Sequence, residues 1–159
     1  MDIYRVTLMG HRNLSVHQPV EDQLYRILKH TLRSNSFVEI YMGRNGAFDL
    51  LAASVVKRLQ KELGRERCEL ILVLPYTEKD LPYYEKYYDC VMIPDCLAHT
   101  HPKGAITKRN RWMVEQCDLL ICYVERESGG AYTALKYAAR LGKDIINLAA
   151  NEPEINTAY

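Results

Sequence analysis

No apolar run approaches the roughly 18 residues that a membrane-crossing helix needs, so a helical span is excluded. Low-complexity tracts, internal repeats and Pro- or Ser-rich linkers are missing as well, which removes solenoid and disordered readings. Charge of one sign is missing too: 21 Lys+Arg stand against 20 Asp+Glu, for a net +1. That balance excludes a strongly basic nucleic-acid coat, and nucleic acid is not expected as a partner, although a local basic patch stays open. The first residues, MDIYRVTLMGHR, lack the basic segment and apolar stretch of a secretory signal. Five cysteines make an odd count, and none sits in a C-x-x-C pair. Cys68, Cys117 and Cys122 lie in apolar runs and read as buried thiols, so the reducing cytoplasm is the expected compartment. Cys90, Cys96, His99 and His101 match no standard zinc spacing; no metal and no cofactor are expected.

What is present is an ordinary globular composition, 159 residues with 48% hydrophobic and 26% charged, enough for one domain over 1–159. Strand and helix patterns alternate. Ile3 to Met9 reads as a strand, though Arg5 and Thr7 give it a half-polar pattern that argues against a central place. Pro19 suits the first position of a helix whose Val20, Leu24, Ile27, Leu28 and Leu32 share one face. Phe37 to Met42 is a second strand. The helix after it buries Phe48, Leu51, Ala52, Val55, Val56 and Leu59 and stops at Gly64. Cys68 to Leu74, a continuous apolar run, reads as a strand covered on both faces. Tyr83, Tyr84, Tyr87 and Tyr88 fall in a short helix, Cys90 to Ile93 in a short strand, and residues 94–105 in a loop. Ile106 to Gln116 is helical, Asp118 to Val124 a strand, the stretch after Ser128 a helix capped by Gly142, and Asp144 to Leu148 a last strand. The pattern predicts an α/β fold: three layers around a doubly wound, mainly parallel, Rossmann-like sheet.

In such sheets ligands bind beyond the carboxyl ends of the strands, and three strand ends here carry unusual residues. Ser128-Gly129-Gly130 opens a helix, where free N–H groups and the positive dipole end can hold a phosphate, with the Thr133 hydroxyl one turn on. A plain turn with Ser128 as the cap would read the same way. Asp49, in the first turn after Gly43-Arg44-Asn45-Gly46, either balances the helix dipole or accepts bonds from sugar hydroxyls. Arg12 after Gly10-His11 could grip a phosphate with two parallel bonds, and His11 could donate to one or act as a base; a surface loop would look identical. Lys103, Lys108, Arg109 and Arg111 form the one basic concentration: a solvated helix face, or a lid closing on an anion, with Asn110 within it placed to meet a base or sugar.

Lys108 to Leu148, together with Gly10-His11-Arg12 and the G-x-N-G-x-F-D of residues 43–49, resembles the YpsA-like branch of the SLOG superfamily. This superfamily is named for the Smf/DNA-processing protein A and Lonely Guy groups. The resemblance covers nearly the whole chain. It implies a Rossmann-like fold that binds a small nucleotide-derived ligand of the ADP-ribose type. It points to Gly10, His11, Arg12, Gly43, Asn45, Gly46, Asp49, Arg109, Asn110, Ser128, Gly129, Gly130 and Thr133 as the ligand-binding set. Lonely Guy enzymes carry a motif similar to P-G-G-x-G-T-x-x-E, and here Ser128 replaces the proline, Tyr132 the third glycine and Lys136 the acidic residue. Loss of that carboxylate favours a binding or sensor module over an enzyme. A nucleotide N-glycosidase using Asp49, Glu125 or Glu127 is the alternative, and single-stranded DNA handling a second. A sensor without an effector domain implies a homo-oligomer or a protein partner.

Overall fold

The computed structural model describes residues 2–44 and 46–150. Six strands form one sheet: β1 (Ile3–Gly10), β2 (Phe37–Met42), β3 (Cys68–Val73), β4 (Cys90–Met92), β5 (Leu119–Tyr123) and β6 (Asp144–Asn147). Their order across the sheet is β4-β3-β2-β1-β5-β6, and every neighbouring pair is parallel. The expected three-layer α/β arrangement is therefore present, wholly parallel among the described residues. The chain runs outward from β1 to β4, then returns to the other side of β1. Strand order thus reverses between β1 and β5, and all carboxyl ends lie along one edge.

Alternation along the strands divides the interior into two cores. Val6, Leu8, Ile40, Met42, Leu70, Leu72 and Ile121 face α1 (Gln18–Ser34) and α2 (Ala47–Leu63). Met9, Tyr41, Ile71, Val73, Leu120 and Cys122 face the other way, toward α4 (Pro102–Gln116) and α5 (Gly130–Arg140). The short α3 (Leu81–Tyr87) adds Leu81 and Tyr84 to the first core. Cys68, Cys117 and Cys122 are buried, as their apolar surroundings predict. Burial pushes the Cys122 thiol up to about 12, so it stays protonated and inert.

Two expectations are corrected. Strand β1 is central despite its polar residues. Thr7 is fully buried, and its hydroxyl donates to the Met113 carbonyl at 2.8 Å. Arg5 lies near the open start of the strand, paired with Glu39 at 3.2 Å. A satisfied polar group is compatible with the interior, so alternation of type did not mark an edge. The stretch 94–105 is likewise not all loop. It holds a 3-10 turn at Asp95–Leu97, and α4 begins at Pro102, where His101 caps it by accepting the Lys103 N–H on Nδ1 at 3.2 Å. No helix among the described residues is long and apolar enough to cross a membrane.

Candidate functional site

A cleft of about 450 Å³ opens above the carboxyl ends of β1, β2, β3 and β5, at the reversal of strand order. Five segments distant in sequence form its walls. Met9 and Gly10 end β1, and His11 to Asn13 follow it; Gly43, Arg44, Gly46 and Asp49 follow β2; Pro75, Tyr76 and Glu78 follow β3. Ile106, Arg109, Asn110 and Met113 come from α4, Arg126 and Gly129 from the β5–α5 connection, and Gly130 and Ala131 from the start of α5.

Each glycine of this rim has its own reason. A Cβ on Gly10 would fall 2.3 Å from Cγ of Phe48, so Gly10 is bare to admit that ring into the core. A Cβ on Gly43 would press on the Arg109 guanidinium at 3.0 Å, so Gly43 lets Arg109 lie across the end of β2. Gly46 begins α2 tightly against Arg12, whose carbonyl accepts the Ala47 N–H at 2.8 Å. Gly129 differs from all three. Its φ is +92° with ψ at 175°, a conformation that L side chains rarely adopt, and nothing lies within 4 Å of the place a Cβ would take. The backbone is bent and bare where α5 begins, and Gly130 looks onto Nδ2 of Asn110. The first N–H groups of α5 therefore reach the cleft at the positive end of the helix.

Three arginines that this set brings together supply the charge. Arg109 is half-buried; its Nη1 donates to the Val73 carbonyl and its Nε to Oδ1 of Asn110, both at 2.9 Å. Burial lowers its pKa and Asp49 opposes the shift; a guanidinium remains charged through such changes. Arg12 and Arg126 are exposed at the mouth, and no salt bridge ties either one down among the described residues. Arg44 is paired with Glu78, which stiffens the far wall, and its guanidinium lies 4.9 Å from the centre of the Tyr84 ring.

Asp49 is the one sequence-proposed carboxylate in the wall. Burial pushes it up to about 6, against the pull of Arg109 and Arg12. His11 is buried, and its Nε2 accepts the N–H of Glu125 at 3.0 Å and of Arg126 at 3.2 Å. Burial and Arg126 lower its pKa. A nitrogen that accepts two bonds carries no proton, so His11 in this state tethers the β5–α5 loop to the end of β1.

Of the other proposed residues, Asn45 lies outside the described residues. Glu125 and Glu127 are exposed and stand apart from the cleft wall, Glu125 taking the Tyr123 hydroxyl at 3.3 Å. Ser128 is not the helix cap; Gly129 holds that position. Thr133 turns its hydroxyl back to the Gly129 carbonyl at 3.1 Å, away from the cleft lining. Tyr76, Glu78, Ile106 and Arg126 had not been singled out. Arg126 had a signal in its position just before the diglycine; Tyr76 and Glu78 follow an apolar strand closed by Pro75, with no chemical pattern of their own.

No protein-family model matches this sequence, and no curated protein does. Solved structures do resemble the fold. DNA processing protein A from Streptococcus pneumoniae superposes with a TM-score of 0.64 at 16% identity, over 90% of this chain and 49% of that one. DNA processing protein A from Helicobacter pylori, described for its single-stranded DNA binding mode, gives 0.60 at 14% identity, over 89% and 63%. The chain thus spans about half of the first and under two thirds of the second. The second likeness overturns the expectation that set nucleic acid aside, since the same Rossmann-like fold serves a single-stranded DNA binder. Net charge sums the whole surface and says nothing of its distribution: Arg12, Arg109 and Arg126 gather at one opening of a chain whose net charge is +1.

Proposed function

We propose that the domain binds single-stranded nucleic acid, taking a nucleotide unit into the cleft between the ends of β1 and β5. One observation carries this reading: Arg12, Arg109, Arg126 and the bare start of α5 converge on one opening. The phosphate sits at the Gly129-Gly130 bend, where N–H groups and arginine forks can both donate to it. Asn110 and Asp49 offer hydrogen bonds to the sugar or base. The likeness in fold to a single-stranded DNA binder supports the same reading.

A second reading, the one implied by the YpsA-like resemblance, is a free nucleotide-derived ligand of the ADP-ribose type. The cleft favours it in one respect, for a volume of about 450 Å³ falls within the range of small-molecule sites.

Fluorescence anisotropy with a labelled oligodeoxythymidylate tests the proposal. Replacing both Arg12 and Arg126 with Ala is expected to weaken binding about tenfold or more and to reduce the salt slope by about 1.4, for two phosphate contacts on a single strand. Unchanged affinity in that variant would remove the proposal. Competition by ADP-ribose at concentrations where the oligonucleotide is inert would favour the second reading.

A further inference from the structure

The two helical layers differ in how their charge is held. On α1 and α2, six Lys or Arg face four carboxylates, and Lys29–Glu62 and Arg58–Glu21 form ion pairs. Helix α4 carries four Lys or Arg and α5 two, against a single carboxylate, Glu115. Even that carboxylate is engaged: its Oε2 accepts the Tyr137 hydroxyl at 2.7 Å. Among the described residues no ion pair joins Arg111, Lys136 or Arg140 to an acid. These cations rest on aromatic rings instead. The guanidinium carbons of Arg111 and Arg140 lie 5.1 and 5.3 Å from the centre of the Tyr137 ring, and Lys136 lies 5.6 Å from that of Tyr132.

A guanidinium held against a ring keeps its charge and loses rotamer freedom. Two of them beside one ring concentrate positive charge that can hold phosphate. The grip shares a helix with the cleft wall. Gly130 lies in the cleft wall, and Arg140 is ten residues along the same helix, about 15 Å away.

We propose that a strand entering the cleft continues along α5, its outlying phosphates held by Arg111 and Arg140 over Tyr137, with Lys136 beside Tyr132 as the step between. This rests on the cleft reading above and adds a second, separable footprint to it. A flat anionic membrane would find the same charge, but these cations lie on the helix whose first residues line the cleft, which suits a strand leaving it.

The test compares oligodeoxythymidylates of about four and about sixteen nucleotides, the span over which single-strand sites vary. In the Arg111→Glu/Arg140→Glu double variant, the longer probe is expected to lose about tenfold or more in affinity and at least about 1.4 in salt slope. The shorter probe is expected to bind as it does to the unaltered protein. Both side chains are exposed, and circular dichroism checks that the fold survives. Tyr137→Leu should weaken the longer probe as well, and Tyr137→Phe, which keeps the ring, should not. Equal losses for both probes, or no loss for the longer one, would overturn the path while leaving the cleft reading in place. Absence of binding at either length in the unaltered protein would overturn both. Binding of phosphatidylserine vesicles that falls in the double variant, with no change for the longer probe, would reassign these cations to a membrane and overturn the path.

Discussion

Gly10 and Gly129 stand at the two lips of the same cleft, one at the end of β1 and the other just before α5, and they are bare for opposite reasons. At the first lip the space is full: the Phe48 ring occupies the place a side chain would take. At the second it is empty, and the backbone is bent into a conformation reserved for glycine with nothing packed against it. One lip is built by the core and is rigid for that reason. The other is held from outside by His11, which joins the β1 end to the backbone of residues 125 and 126. A glycine in a motif therefore does not announce whether it serves packing or a ligand; the neighbouring atoms decide.

That contrast can be broken at several points. Gly10→Ala should be the most damaging change. Its Cβ would lie 2.3 to 2.6 Å from the root of the Phe48 ring, too deep for a small adjustment. A loss of about 3 kcal/mol in urea unfolding is expected, at the upper end for overpacking, and Phe48→Leu in the same chain should recover part of it. A loss below about 0.5 kcal/mol would mean that the first lip is not full.

Asp49→Asn comes next and acts in the stabilising direction. Its carboxyl titrates near 6 in the folded protein against 3.8 for a free side chain. The folded state thus holds the proton more tightly, and the stability this group lends at low pH is lost as pH rises through about 6. Asn should raise stability above that pH by about 1–2 kcal/mol, allowing for the open mouth of the cleft, and flatten the slope between about 4 and 6. Arg12 and Arg109 face this carboxylate, and burial and Arg126 lower the His11 pKa. Binding of an internal phosphodiester should accordingly tighten as pH falls through about 6 and lose that dependence in the variant. A pH-independent affinity in the unaltered protein would place Asp49 outside the ligand's reach.

Gly129→Ala sharpens the comparison through the smallest effect on stability. The loop is exposed and can relax, so about 1 kcal/mol is expected even though the conformation suits glycine alone. The same substitution should cost about tenfold in oligonucleotide affinity, because relaxing the bend turns the first N–H groups of α5 aside. Full affinity at full stability would show that the second lip is an ordinary turn.

Much of the fold was legible because punctuation and periodicity agreed. Cys68 to Leu74 is continuous and apolar because both faces of β3 are covered, and Gly64 ends α2 at a positive φ. The start of α4 was missed although Pro102 carries the same signal as Pro19, since its cap is His101, which accepts through a ring nitrogen and is no usual capping residue. Thr7 misled for a related reason, its partner being a carbonyl more than a hundred residues away. In the site, Gly43, Gly46, Asp49 and Gly129 could be found at strand ends. Arg126 had only its place between β5 and the diglycine to mark it, and Tyr76 and Glu78 could not be found, because they are brought there by a loop whose course depends on strand order. Glu125 was over-read: the carboxylate is adjacent in sequence, but the amides of its loop are committed to His11.

The pairing of β1 with β5 joins Val6 to Leu119, nearly the full span of the sheet in sequence. The chain must complete four strands and a long return crossover before the second lip exists at all. A fragment ending before β5 would lack the strand that leads to the second lip, and with it the cleft. Assembly of the site is thus tied to one of the most distant contacts in the molecule, the kind that chain entropy makes slow to form.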